Sequence, residues 1–314
     1  MKILITGSNG QLGTELQQLL VDSPHHDVLG RVDKQLLQLG AQLTVDSPHH
    51  DVLGVDIDTC DITDRDQILG AITGWNPDLI LHGAAFTAVD RCEVDPETAY
   101  AVNALATRFI ADGARRVGAH VVYVSTDYVF DGTKAGPYVE WDAPSPQSVY
   151  GRSKLGGEIE IDPSWTIART SWVCSAHGNN MVKTVLRLAG EQDRLTFVDD
   201  QVGHPTFASD LAAKVLELGV ARVPGVHHVT NQGAVSWFEF VQAILEAGGH
   251  SPDKVQPIST EAYLAGRPAD APPMATRPAN SVLDNFALRA SGLGELRDFR
   301  EPLGEVVTAL QATA

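Results

Sequence analysis

The stretch KILITGSNGQLGTELQQLL at residues 2–20 decides the fold. Lys2-Ile3-Leu4-Ile5-Thr6 is a short apolar run containing β-branched residues, the pattern of a buried parallel strand. It ends in GSNGQLG, where Gly7, Gly10 and Gly13 recur at every third residue, and the TELQQLL that follows has helical character. A strand, a glycine turn and a helix in that order form the opening unit of a dinucleotide-binding fold. The glycines permit a tight turn and let the backbone approach a pyrophosphate. Free N–H groups and the dipole at the helix N-terminus then favour the phosphate charge. The expected fold class is α/β, a doubly wound parallel Rossmann sheet.

The whole chain sets limits around that unit. Its 314 residues suffice for one large α/β domain or for a domain plus a smaller lobe. Hydrophobic residues make up 43% and charged residues 20%, the balance of a globular protein. No apolar run reaches the roughly 18 residues of a transmembrane helix, so no membrane association is expected. MKILITG reads as a buried strand and not as a signal peptide. The three cysteines, Cys60, Cys92 and Cys174, are sparse and lack zinc or disulfide spacing, which fits a reducing cytoplasm. A net charge of −17 disfavours nucleic acid and anionic membrane as partners. An anionic small ligand stays open where local donors offset that field.

Later segments carry the chemistry. PDLILHGAAF (77–86) and AHVVYVSTDYVF (119–130) read as two further strands, the second with Ser125, Thr126 and Asp127 at its carboxyl end, where ligands sit in open α/β sheets. YGRSKLGGEIEI then begins a helix whose Tyr150 and Lys154, four residues apart, share one face. A free tyrosine has a pKa of about 10. A nearby ammonium stabilises the phenolate and brings that value toward working pH, giving a proton donor for a carbonyl reduced by hydride. Thr126 supplies a second hydrogen bond to the carbonyl oxygen. Tyr-x-x-x-Lys alone is frequent and mostly structural; the glycine turn and the Ser-Thr-Asp strand end give it meaning.

One feature disturbs the pattern. VDSPHHDVLG occurs at 21–30 and again at 45–54, and the flanking Gln-Leu pairs align at the same offset. The duplicated unit spans a helix plus a strand, with DKQLLQLGAQL (33–43) as a weaker second helix. The residues after the second strand select the adenosine ribose: an acidic residue accepts from the 2′-OH of NAD, and an arginine favours the 2′-phosphate of NADP. If copy one fills that slot, Arg31 and Asp33 lie near the ribose. If copy two fills it, Asp56 does, and 21–44 becomes an excursion. Spacing favours copy one, and continuity into the DITD segment (61–64) favours copy two. The second arrangement keeps the whole cofactor pocket and is the one expected.

The segments GSNGQLG (7–13), AAFTAVDRCE (84–93), AYAVNA (99–104), STDYVFDG (125–132), VYGRSK (149–154), RTSWV (169–173), VDDQVGHPT (198–206) and RPANS (277–281) together resemble the dTDP-4-dehydrorhamnose reductases, a family of extended short-chain dehydrogenases/reductases. The resemblance runs from Met1 to about residue 310 and breaks in the duplication. It implies reduction of the 4-keto group of a dTDP-linked 6-deoxy hexulose to dTDP-L-rhamnose, with NADPH or NADH. It implies Thr126, Tyr150 and Lys154 as the catalytic set. Gly10, Gln11 and Leu12 would lie along the pyrophosphate, Asp61 and Ile62 at the adenine, and Ala84, Ala85 and Thr87 along the rest of the cofactor. Thr170, Ser171 and Trp172 would lie by the sugar, with Asp127 at the same strand end, and Arg277 would face the substrate diphosphate. Some members hold Mg2+ at a dimer interface through glutamates, and Glu15 matches one such position, which brings in a homodimer. Members commonly have an aromatic residue where this chain has Cys174.

The same resemblance implies a smaller C-terminal substrate-binding lobe, with residues 1–170 forming the dinucleotide domain and 171–314 mainly the lobe. The two interleave, because GVHHVT (225–230) reads as another sheet strand beside WTIART (165–170). Ser209 is expected to cap the helix of DLAAKVLELG, and Ser236 that of WFEFVQAILEAG. The His-His pairs are not a metal site, since adjacent strand residues point to opposite faces. Two rivals remain. One is another nucleotide-sugar reductase, epimerase or dehydratase, although a dehydratase would want a glutamate where Tyr128 follows Asp127. The other is a non-catalytic subunit like the regulatory subunit of methionine adenosyltransferase, which the intact Thr126, Tyr150 and Lys154 argue against.

Overall fold

The computed structural model describes residues 1–22, 43–46, 50–268 and 270–312. Its centre is a seven-stranded sheet of β1 (Lys2–Thr6), β2 (Leu43–Asp46), β3 (Asp51–Val55), β4 (Leu79–His82), β5 (His120–Thr126), β6 (Thr166–Thr170) and β7 (Gly225–His228). The spatial order is β7-β6-β5-β4-β1-β3-β2. Six strands run parallel, and β2 pairs antiparallel with β3 at the edge. Order reverses on either side of β1, which puts the switch point, and so the expected ligand crevice, between the carboxyl ends of β1 and β4.

Alternation along the strands makes two apolar faces. Ile3, Ile5, Leu79, Leu81 and Val122 face one layer, where α1 (Gln11–Asp22) contributes Leu16 and Leu20 and α6 (Ala208–Val220) contributes Leu211, Val215 and Leu218. Leu4, Leu53, Ile80, Val121 and Tyr123 face the other, against Ile68 and Ile72 of α2 (Arg65–Trp75) and Ile110 and Ala114 of α3 (Ala106–Val117). The spacings of three and four within the helices are those of a single buried stripe.

The duplication resolves in favour of copy two. Asp51–Val55 pairs with Lys2–Thr6 residue for residue, so Asp56 follows the strand beside β1. Copy one beyond Asp22, and the helix expected over 33–42, lie outside the described residues.

A separate apolar cluster lies among the later elements. It joins Val182 and Val185 of α5 (Met181–Glu191), Phe240 and Ile244 of α7 (Trp237–Ala247), Leu303 and Val307 of α8 (Arg300–Ala312), and Cys174, Phe207 and Phe299. Cys174 is thus a core residue here, and its burial pushes the thiol up to about 12. Ser236 caps α7 in a full capping box with Glu239, as expected. Ser236→Ala should lower stability by about 1 kcal/mol, measured as a shift in the denaturant midpoint. Ser209 does not cap. The short strand Thr206–Phe207 runs directly into α6, Phe207 takes the cap position, and its N–H donates to Asn231 Oδ1 at 2.8 Å, leaving Ser209 inside the first turn. Among the described residues no helix is long and apolar enough to cross a membrane.

Candidate active site

The glycine turn is pinned to the neighbouring strand end. Gly7 and Ser8 both donate backbone N–H groups to Val55 O, at 3.0 and 3.2 Å. Gly7 has φ +72°, a conformation that favours glycine. A Cβ on Gly13 would lie 2.2 Å from Gly7 O, so turn and helix pack as bare backbone. Asp56 closes the far side of the turn: its Oδ2 accepts from Asn9 N at 2.8 Å and its Oδ1 from Ile57 N.

These residues open onto a cleft of about 1050 Å3 along the strand ends. Every expected cofactor residue lines it: Gly7, Gly10, Gln11, Leu12, Gly13, Asp56, Asp61, Ile62, Ala84, Ala85, Thr87, Tyr150 and Lys154. So do Thr126, Asp127, Thr170, Ser171 and Trp172. Gln11 also reaches the later elements, accepting from Asn180 Nδ2 at 3.0 Å. Ser171 Oγ donates to His204 O at 2.6 Å. Trp172, with φ +43°, stacks on Trp237 at 3.7 Å between ring centroids.

The reactive groups gather where β5 meets α4 (Val149–Glu160). Ser148 caps this helix through Gly151 N and starts it so that Tyr150 falls in the first turn, beside the end of β5. Tyr150 packs edge-on against Tyr128 at 5.6 Å. Burial pushes its pKa up, and a hydrogen bond with Thr126 works against that rise. Thr126 Oγ1 lies 2.9 Å from Asp127 Oδ1. Asp127 is buried, its Oδ2 has no partner, and burial raises its carboxyl to about 6. Lys154 is buried as well, which lowers its pKa to about 7. Its Nζ donates to Val124 O at 2.7 Å and sits 4.1 Å from the Tyr123 ring centroid. The Asp127 carboxylate, on the neighbouring strand end, adds to the rise in Tyr150.

Arg277 clasps Asp90 with both terminal nitrogens, at 2.5 and 2.9 Å. Glu15 faces His177 at 3.9 Å, and no group of three His, Cys, Asp or Glu among the described residues is placed to hold a metal. Asp199 and Asp200, both exposed, accept from Ser236 Oγ and Thr260 N.

Sequence reasoning missed Asn103. It lies in a π-helical turn (Ala101–Leu105), fully buried, and joins the 84–87 loop to α4. Its Oδ1 accepts from Phe86 N at 2.8 Å and its Nδ2 donates to Ser153 Oγ at 2.9 Å. A buried asparagine satisfied on both sides fixes the spacing between those segments.

A glycine turn at the switch point of a parallel sheet, with Thr, Tyr and Lys converging on the same cleft, defines a Rossmann-type oxidoreductase. The family model described as the RmlD substrate binding domain matches residues 1–312. A dTDP-4-dehydrorhamnose reductase of Aggregatibacter actinomycetemcomitans is 38% identical over 294 residues, 90% of each chain. The crystal structure of the Clostridium acetobutylicum enzyme of that name is 36% identical, with a TM-score of 0.85 over 99% of this chain and 100% of its own. That of the Bacillus anthracis enzyme, in complex with NADP, is 33% identical, with a TM-score of 0.83 over 98% and 99%. The chain belongs to the dTDP-4-dehydrorhamnose reductase family.

Proposed function

We propose that this chain reduces the C4 keto group of dTDP-4-dehydro-L-rhamnose to give dTDP-L-rhamnose, using NADPH or NADH. The observation that carries this reading is the convergence of Thr126, Tyr150 and Lys154 at the floor of a cleft whose other end is the glycine turn. The residues fit a dinucleotide. Gly13 leaves backbone where a side chain would collide, and Asp56 offers a carboxylate beside the turn for a ribose hydroxyl. When bound, the reduced nicotinamide supplies the hydride. The protein's own part is positioning and proton transfer. The Thr126 and Tyr150 hydroxyls lie within hydrogen-bonding reach of each other, and a carbonyl oxygen placed against them would be stabilised as it gains charge during reduction. Tyr150 is protonated at neutral pH because burial holds its proton, so it is ready to donate. Lys154, near its midpoint at neutral pH and four residues from Tyr150 on the same helix, offers a positive charge to balance the tyrosinate left behind.

The test is a panel of 4-keto nucleotide sugars, with products identified by mass and NMR. Turnover of the dTDP-linked 6-deoxy 4-keto sugar above its UDP-linked counterpart supports the reading. Failure with every member, together with tight binding to methionine adenosyltransferase, would return the regulatory reading. Copy two's place beside β1 makes a second prediction. A chain lacking 31–54 joins the identical copy-one strand to Val55 and restores the same slot. It should keep the NADH-to-NADPH rate ratio of the full chain; a reversed ratio would move the ribose contact away from Asp56.

A further inference from the structure

We infer that Glu158 is a positioning residue for the reduction: held by Ser125 and Arg169 one turn beyond Lys154, its carboxylate favours the ammonium form of Lys154 in the cleft. The inference rests on the function proposed above. Tyr150, Lys154 and Glu158 follow one another at four-residue intervals along α4, so they form one row on one face. The row runs inward: Lys154 is 2% exposed and Glu158 7%.

Glu158 is fixed from two strands. Its Oε1 accepts from Ser125 Oγ at 2.5 Å and from Arg169 Nε at 2.9 Å, and its Oε2 from Arg169 Nη2 at 2.7 Å. Ser125 immediately precedes Thr126, and Arg169 immediately precedes Thr170, both of which line the cleft. The carboxylate therefore ties the catalytic helix to the two strand ends that carry the site. A buried ion pair is seldom retained for stability alone, because desolvation cancels most of its attraction. This pair leaves Arg169 Nη1 without a partner.

The surroundings of Lys154 show what the carboxylate does. Burial disfavours the ammonium, and Glu158 is the charge that supports it. His82, on β4, is neutral, because burial and Lys154 itself hold its pKa to about 3. Tyr123, on β5, presents its ring face to Nζ and keeps its proton through burial. Tyr150 keeps its proton for the same reason, and Asp127 is raised to about 6. Arg169, on β6, is engaged with Glu158. Removing the Glu158 charge leaves a buried amine that should be neutral at the pH where the enzyme works.

The experiment is a pH titration of the Lys154 13Cε resonance in the full chain labelled at its seven lysines, with the signal assigned by its loss in Lys154→Met. In Glu158→Gln the midpoint should fall by ~1 pH unit or more. The alkaline limb of kcat/KM should move with it, and Glu158→Asp should restore both. An unchanged midpoint in a folded Glu158→Gln protein overturns the inference. Should that variant fail to fold with Arg169 unpaired, the midpoint in Glu158→Gln combined with Arg169→Gln must fall below that in Arg169→Gln alone, and equal midpoints overturn the inference. The titration needs no substrate, so a shifted midpoint in a chain that reduces no nucleotide sugar would sink the proposed function and leave the Lys154–Glu158 coupling standing.

Discussion

Tyr150→Phe should lower kcat by about a thousandfold while cofactor affinity stays within about twofold of the wild type. The substitution removes one oxygen and keeps the ring, so the edge contact with Tyr128 and the course of α4 are preserved. What is lost is the proton donor that Thr126 orients. General acid catalysis by a positioned side chain contributes about 100- to 10,000-fold. The middle of that range applies because, among the described residues, no other side-chain acid hydrogen-bonded with Thr126 keeps its proton at neutral pH. Asp127 is close, but above pH 6 it is mostly ionised and is already an acceptor for Thr126. Steady-state rates and a fluorescence titration with NADPH measure the two quantities. Turnover within tenfold of the wild type would remove Tyr150 from the donor role.

Gly13→Ala should weaken cofactor binding by about a hundredfold with little change in kcat at saturating cofactor. The new methyl carbon would stand 2.2 Å from Gly7 O and 2.6 Å from Ser8 Cα, both backbone atoms that cannot rotate away. The turn must open. Overpacking of this kind costs about 1–3 kcal/mol, and the upper figure corresponds to roughly a hundredfold in a dissociation constant. The penalty falls on the turn because α1 is anchored by Leu16 and Leu20 in the core, whereas the turn is held by single hydrogen bonds to Val55 O. Circular dichroism would show a folded protein, and calorimetric titration the loss of affinity. An unchanged dissociation constant would mean that the pyrophosphate does not lie over this turn.

Much of this was legible because it is local. Strand β1, the glycine turn and α1 are contiguous, and each is encoded by residue types whose preference comes from backbone sterics. The Tyr150–Lys154 spacing is likewise a property of one helix. The choice between the two copies was not local: identical strands have identical propensity, and only the parallel partner β1 and the continuation into Asp56 separate them. Asn103 and Glu158 stayed hidden for the same reason. Asn103 acts on Phe86 and Ser153, and Glu158 on Ser125 and Arg169, contacts that exist only after the sheet is assembled. Arg277 shows the same limit. Its chemistry suits a diphosphate, but sequence carries no sign that Asp90, far away in the chain, will hold it first. Ser209 missed its cap because the short strand Thr206–Phe207 runs straight into a helix that begins at Ala208, which leaves the serine inside the first turn.

The central claim is that the cleft joining the glycine turn to Thr126, Tyr150 and Lys154 carries hydride to the C4 carbonyl of a dTDP-linked sugar. The measurement closest to it is a single turnover with NADPH deuterated at the nicotinamide C4, in separate samples for each face. One sample should yield dTDP-L-rhamnose with deuterium at the sugar C4 and none elsewhere, and the other unlabelled product. Product without deuterium from either face, or deuterium at another carbon, would contradict the account.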